Sequence, residues 1–456
     1  MKRRSIALLL VLALTLSVCA VSALAGEESR AQTEAQTAGE TETAAEEGAS
    51  GGTEEQAEAP SPAGPDAEPA VDPETGEALA ETVAIVPDEL GTVSFENVER
   101  RMRENNLQVL ILEESIQTVE EIDYDDLQED LRKQLNDIAK GQWYMVLMGE
   151  SGTLAYEQLD QAYDAVREQF DAIKDGEMQE DNADVLRQLR NLQDQIIVAG
   201  EATYVAVAAM ETQEAGLQRQ LAALNRTVEE MELRYQLGQV SALQLAQTKA
   251  GRESLASGLE TLRMNIKTYK YQLEMLLGAE QTGEIKLGPV PGVTEEQIAK
   301  MDLEADLLAA KEKSYELHDA AKTLEDAQED YHDAGVDYGY NEAKYAFKAA
   351  KHTWQAAQYT YSNTVQNYEL KFRALYAKVL DCKQVWEAAK VSLACEQSDY
   401  AAMELKYQQG TISQNALLSA GDDLRAAEET VKNAASDLFS NYNAYCWAVQ
   451  HGIVNG

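Results

Sequence analysis

The stretch Leu233-Arg-Tyr-Gln-Leu-Gly238-Gln-Val-Ser241 returns 172 residues later as Leu405-Lys-Tyr-Gln-Gln-Gly410-Thr-Ile-Ser413. Each copy interrupts a long helical pattern at a glycine and restarts it at a serine that can cap the next helix. Each is therefore expected to be a corner between two helices, and the pair implies a chain built from two similar halves. In front of the first corner, Leu217, Leu221, Leu224, Val228, Met231 and Tyr235 alternate steps of four and three, which is a heptad seam. Behind it, Leu255, Leu259, Leu262, Ile266, Tyr269, Leu273 and Leu276 keep the rhythm until Gly278. Two long helices meeting at such a corner make an antiparallel hairpin, with arms of roughly 40 residues or more, about 60 Å at 1.5 Å per residue.

The second half carries a stricter pattern. Tyr340, Phe347, Trp354, Tyr361, Tyr368, Leu375 and Cys382 recur every seven residues, with Ala343, Ala350 and Ala357 interleaved. Large side chains opposite small ones let neighbouring helices interlock. The seam slips by four residues at Trp386 and runs on through Leu393, Tyr400 and Tyr407 to Gly410, a stutter that locally unwinds a supercoil. Beyond Ser413, Leu424, Val431, Leu438 and Tyr445 carry it to the C-terminus. Before Tyr340, residues 302 to 333 read as one helix that Gly335 to Gly339 breaks. The fold class expected is all-α: long antiparallel coiled-coil hairpins in two tandem repeats.

The remaining segments fit around these arms. Lys2, Arg3 and Arg4 precede an apolar run, and Ala23-Leu24-Ala25 offers a small-x-small cleavage site, so residues 1–25 are expected to be an export signal. The alternative, lipidation at Cys19, conflicts with the bulky Val18 before it. Residues 26–91 are rich in Ala, Glu, Thr, Gly and Pro and hold a single base before residue 91, Arg30; they are expected to be a disordered acidic linker. The first repeat is assigned to 92–287, a Gly/Pro linker to 288–293 and the second repeat to 294–456. In the first repeat Ser94 is expected to cap a helix, and Trp143 to Met148 is a short apolar run, either a strand or a helix end packed under a loop. After cleavage no run of about 20 apolar residues is left to cross a membrane as a helix.

Charge excludes one class of partner. With 38 Lys and Arg against 80 Asp and Glu, the formal charge is −42, whereas nucleic acid binding needs clustered cations to displace counterions. No phosphate loop, nucleophile elbow or zinc pattern is present. The four histidines lack metal-pair spacing, and Glu329-x-x-His332 has no second copy. Cys382, Cys395 and Cys446 all fall in helical patterns and read as small buried hydrophobes. No enzyme, cofactor or metal is expected.

The two Tyr-x-x-Gly-x-x-Ser corners, each followed by a helix with paired leucines (Leu243 and Leu245; Leu417 and Leu418), together with Glu104-Asn-Asn-Leu107, resemble the TolC-like outer membrane efflux protein family over residues 92 to 452. That resemblance implies long helices that trimerise into an α-barrel. It also implies that the corners are tips meeting a periplasmic adaptor (membrane fusion) protein and, through it, an inner-membrane transporter. The tip residues would be Tyr235, Gly238 and Ser241 with Tyr407, Gly410 and Ser413. The family also carries a strand pair per repeat for an outer-membrane barrel. Here Gly335 to Gly339 is too short for one, and residues 140 to 200 read as helix and loop. The expectation is thus an exported envelope component of an efflux or secretion system without those strands. A structural coiled-coil scaffold of the envelope, without transport, is the alternative.

Overall fold

The computed structural model describes residues 88, 89 and 91–454. The predicted export signal and the predicted linker as far as residue 87 lie outside the described residues. The described residues are helical almost throughout. In order it forms β1 (Thr92–Val93), α1 (Phe95–Asn105), α2 (Leu107–Glu120), α3 (Tyr124–Met148), α4 (Leu154–Lys174), α5 (Glu177–Gln236) and α6 (Ala242–Leu276). There follow β2 (Lys286–Leu287), α7 (Glu295–Ala299), α8 (Leu303–Lys313), α9 (Tyr315–Tyr338), α10 (Tyr345–Gln408) and α11 (Gln414–His451).

The all-α expectation holds apart from one parallel two-residue pair, β1 on β2, with Thr92 opposite Lys286. This pair ties the entry of the first repeat to its exit. Tyr204, fully buried, reaches the same place: its hydroxyl donates to the Gly288 carbonyl at 2.8 Å. The segment expected to be a linker between halves is therefore fastened to the core at Gly288. Contacts of the first repeat also reach back beyond Thr92. Asp88 accepts hydrogen bonds from the Ser94 amide, the Ser94 hydroxyl and the Asn97 amide group, so Ser94 spends its side chain on Asp88 and caps nothing in α1.

The arms are less equal than expected: in each hairpin one arm is far longer than about 40 residues and the other just shorter. α5 has 60 residues and α6 has 35, and α10 and α11 have 64 and 38. The longest arms span about 90 Å at 1.5 Å per residue. Each half has a short helix, a sharp bend and a second helix ahead of its long hairpin; the first half also inserts α3 and α4 before the hairpin, and the second places α7 in front. The bends come at Asn106 and Ser314, each in extended conformation and each accepting amide hydrogens of the following helix on its side chain. This second bend splits what sequence periodicity reads as one helix over 302 to 333. Leucine spacing survives a bend that changes only one residue's ψ, so periodicity misses it. Gly335 does not break α9 either; it is buried in the last turn, and Gly339 in the left-handed region ends the helix.

Large and small residues trade places between the halves. Met102 lies four residues before the Asn106 bend and Gly200 lies 38 before Gly238. A Cβ added at Gly200 would stand 2.2 Å from the Met102 sulfur. The matching positions of the second half are Ala310 and Phe372, both fully buried in one core cluster with Tyr368, Val379, Leu438 and Tyr445. Close packing is thus conserved by exchanging which helix carries the bulk. Of the heptad seam in α10, Phe347, Tyr368 and Cys382 are buried, whereas Tyr340 lies in the turn before the helix and is exposed.

The halves join through α5. Asp184 accepts from His318 at 2.7 Å, Asp194 from His451 at 2.7 Å, and Glu201 from Trp447 at 2.7 Å and Asn443 at 2.6 Å. Burial works against the charge of Asp194, but His451 and Arg103 beside it hold its carboxyl below the usual range. For Glu201 burial prevails, and its pKa is raised despite the Asn443 and Trp447 hydrogen bonds. Among the described residues Cys382, Cys395 and Cys446 are free; Cys382 is buried as expected, whereas Cys446 is only partly covered and Cys395 is exposed on its helix.

Candidate functional site: the paired helical corners

Both corners are built by the same backbone. In the first, Gly238 takes φ +72° and its N–H donates to Tyr235 O at 3.0 Å, while Gln239 N–H reaches back to Arg234 O at 2.8 Å. In the second, Gly410 takes φ +71°, donating to Tyr407 O at 2.9 Å, while Thr411 N–H donates to Lys406 O at 2.9 Å. These are the closing bonds of a helix that ends in a left-handed residue, and glycine adopts that conformation without a Cβ penalty. Nothing lies within 4 Å of a Cβ at either glycine. Backbone conformation, not crowding, therefore selects glycine here.

The serines restart the chain. Ser241 Oγ accepts from the Gln244 amide at 3.2 Å, and Gln244 Oε1 accepts in return from the Ser241 amide at 3.0 Å, a reciprocal capping box. Ser413 Oγ accepts from the Ala416 amide at 3.2 Å. Alanine in the place of Gln244 leaves that cap one-sided.

Contacts between α5 and α11 place the two corners at one end. Arg219 pairs with Glu429 and Arg226 with Asp422, and Glu230 lies 3.4 Å from the Asn415 amide group. Gly216 leaves the room this needs, since a Cβ there would come within 2.9 Å of a Glu429 oxygen. The antiparallel register thus brings Ser413 alongside the last turns of α5, next to Gly238.

The side chains at this end are uncovered. Tyr235 is 46% exposed and Tyr407 40%, so neither ring supports the hairpin core. Leu233, Leu237, Leu243 and Leu405 are more exposed still. Sequence reasoning gave the tip role to the tyrosines, glycines and serines; Leu233, Leu237 and Leu405 entered only as members of the repeated stretch and Leu243 only as one of the leucines after it. Their signal is available in hindsight, because Leu237 stands beside a helix-ending glycine and off the heptad seam. Around them lie short ion pairs: Arg234 with Glu230 at 2.5 Å, and Lys249 with Glu232 at 2.6 Å. Lys249 holds the Glu232 carboxyl below its ordinary range.

Elsewhere polar chemistry is absorbed by structure. His318 lies between Asp184 and Arg187, His332 sits 3.3 Å from the Tyr340 hydroxyl, and His451 is taken by Asp194. Among the described residues no group of three or more His, Cys, Asp or Glu side chains is placed to hold a metal ion. Buried Glu274 accepts from the amides of Gly283 and Ile285 and from the Thr282 hydroxyl, which fastens the loop behind α6. No helix among the described residues is long and apolar enough to cross a membrane.

No family model matches the chain, and no curated protein matches it. Solved structures do match. The CmeC outer membrane channel of Campylobacter jejuni aligns with a TM-score of 0.46 and 14% identity, over 65% of this chain and 68% of that one. A membrane protein from Pseudomonas aeruginosa aligns at 0.47 and 11%, over 78% and 89%. The open MtrE outer membrane channel of Neisseria gonorrhoeae aligns at 0.42 and 13%, also over 78% and 89%. In structure this chain is similar to outer membrane channels, at TM-scores below 0.5.

Proposed function

We propose that this chain is a TolC-like component of an efflux or secretion system, exported to the cell envelope, which docks an adaptor protein through its two corners. The observation that carries the reading is the pairing of the corners. Two glycines 172 residues apart have the same φ to within a degree, and the α5–α11 register sets them side by side. A spacer needs neither matched corners nor apolar side chains presented to solvent at both. Tyr235, Leu237 and Leu243 on one side and Leu405 and Tyr407 on the other form a surface to which a coiled-coil hairpin can add. In this reading the partner is an adaptor of the membrane fusion type, itself bound to an inner-membrane transporter, and the long arms assemble as a homotrimer.

The test is retention of the chain on an immobilised adaptor hairpin. Leu237→Glu with Leu405→Glu places a charge at each corner without touching the left-handed glycines. Binding by the wild type that falls at least about tenfold in the double variant supports docking. Equal retention of both, or none of either, rejects it in favour of a scaffold without transport.

A further inference from the structure

The α3/α4 hairpin has no part in that reading. It stands apart: α3 packs on α4, and α4 meets the rest of the bundle at α5. Its root is the N-terminus of α5, a full 60-residue helix away from the Gly238 corner. Its far end is apolar. Residues 141 to 149 contain no charged side chain. Trp143, Tyr144, Val146, Leu147 and Met148 are all exposed, as is Leu154 across the turn, Met148 at 74% and Leu154 at 70%. The run is therefore a helix end, as one of the sequence readings had it, but nothing is packed over it.

The direction of these side chains narrows what covers them. A helix advances about 100° per residue, so positions 143, 144, 146, 147 and 148 spread over about 200° of α3, the side that α4 leaves open. A face made for one partner helix would repeat at three and four residues and leave the other sides polar. A helix end that is apolar over the whole of its open side belongs inside a bundle or a lipid layer. Glu150 chooses between them. It lies in the apex turn beyond Met148, where a bilayer would receive it first and deepest, at a desolvation cost. At the end of a bundle the same carboxylate faces water.

We infer that copies of this chain meet through the apolar ends of their α3/α4 hairpins, closing the assembly at the end remote from the corners. Three copies, a number that rests on the trimeric reading above, gather six helices and surround each α3 end. The charge-free stretch suits this use. Molecules with a formal charge of −42 repel, and contact is favoured over residues 141 to 149 of α3, which carry no charge, rather than over α4, where Glu157 and Asp160 are exposed.

The experiment uses the exported protein and two kinds of variant. Leu147→Glu with Met148→Glu puts charge at the proposed contact, and light scattering against concentration reads assembly. The midpoint concentration for assembly should rise about tenfold or more, with an unchanged circular dichroism spectrum. Met148→Cys should join copies through a short bismaleimide, whereas Asp130→Cys, nearer the hairpin root, should not. Wild-type assembly with the same midpoint in the double variant, and no Met148→Cys product, overturns the hairpin contact and leaves the trimer standing. A wild type that stays monomeric overturns both. Vesicle binding lost in the double variant, without a change in mass, assigns the patch to lipid and also overturns the inference.

Discussion

The exchange of bulk between the halves can be imitated by mutation. Met102→Ala with Gly200→Met moves the long side chain from α1 to α5, the arrangement the second half has with Ala310 and Phe372, at the expense of one added methyl group. Met102 is fully buried, so its truncation alone should cost about 2–4 kcal/mol, from lost transfer energy and the cavity left behind. Gly200→Met alone drives a side chain into a space where even a Cβ would meet the Met102 sulfur at 2.2 Å. That overpacking costs about 1–3 kcal/mol, offset by about 0.5–1 kcal/mol because glycine is a poor residue inside a helix. In the double variant the cavity receives the new side chain and the clash disappears. Its destabilisation should therefore fall short of the sum of the singles by about 1.5–3 kcal/mol. Urea denaturation followed by far-ultraviolet circular dichroism, compared at constant slope, measures all four proteins. Additivity within about 0.5 kcal/mol would refute the packing correspondence between the halves.

Other outcomes follow from the same contacts. Gly410→Ala meets open space and should cost only the left-handed conformation, about 1–2 kcal/mol. Gly452→Ala, with a similar φ, would set its Cβ 2.4 Å from the Ser314 backbone nitrogen and should cost clearly more in the same denaturation assay. Asp194 has a lowered folded pKa, so its stabilisation is present above its unfolded pKa and is lost as pH falls through the folded one. Asp194→Asn should flatten stability against pH in the acid range. Glu201 has a raised folded pKa, so its contribution is present at low pH and lost as pH rises through that value. Glu201→Gln, whose amide oxygen can still accept from Asn443 and Trp447, should leave stability at neutral pH equal or higher, as thermal melts will show.

Much of this architecture was legible in the chain. The heptad steps, the glycines and the serines located the long arms and both corners, because those features are encoded within a few residues of where they act. What was not legible depends on residues far apart. The bends at Asn106 and Ser314 interrupt no leucine spacing, and the β1–β2 pair joins strands of two residues with almost 200 residues between them. Ser94 looked like a cap, but Asp88 outcompetes the helix for its hydroxyl. Trp143 to Met148 was readable as a helix end, yet only the free-standing hairpin shows that nothing packs over it. At the corners, local rules found the residues that shape the turn. They did not mark Leu237 and Leu405 as uncovered, because exposure depends on what the fold places around a side chain.

Docking at the corners is most directly tested by a photo-crosslinking residue in place of Leu237 and, separately, of Leu405, with one at the α3 position Asp130 as control. Irradiation of cells or reconstituted protein containing the adaptor should yield a covalent product with the adaptor hairpin from both corner positions and none from Asp130. Products from neither corner, or equal yields from all three positions, would contradict the account.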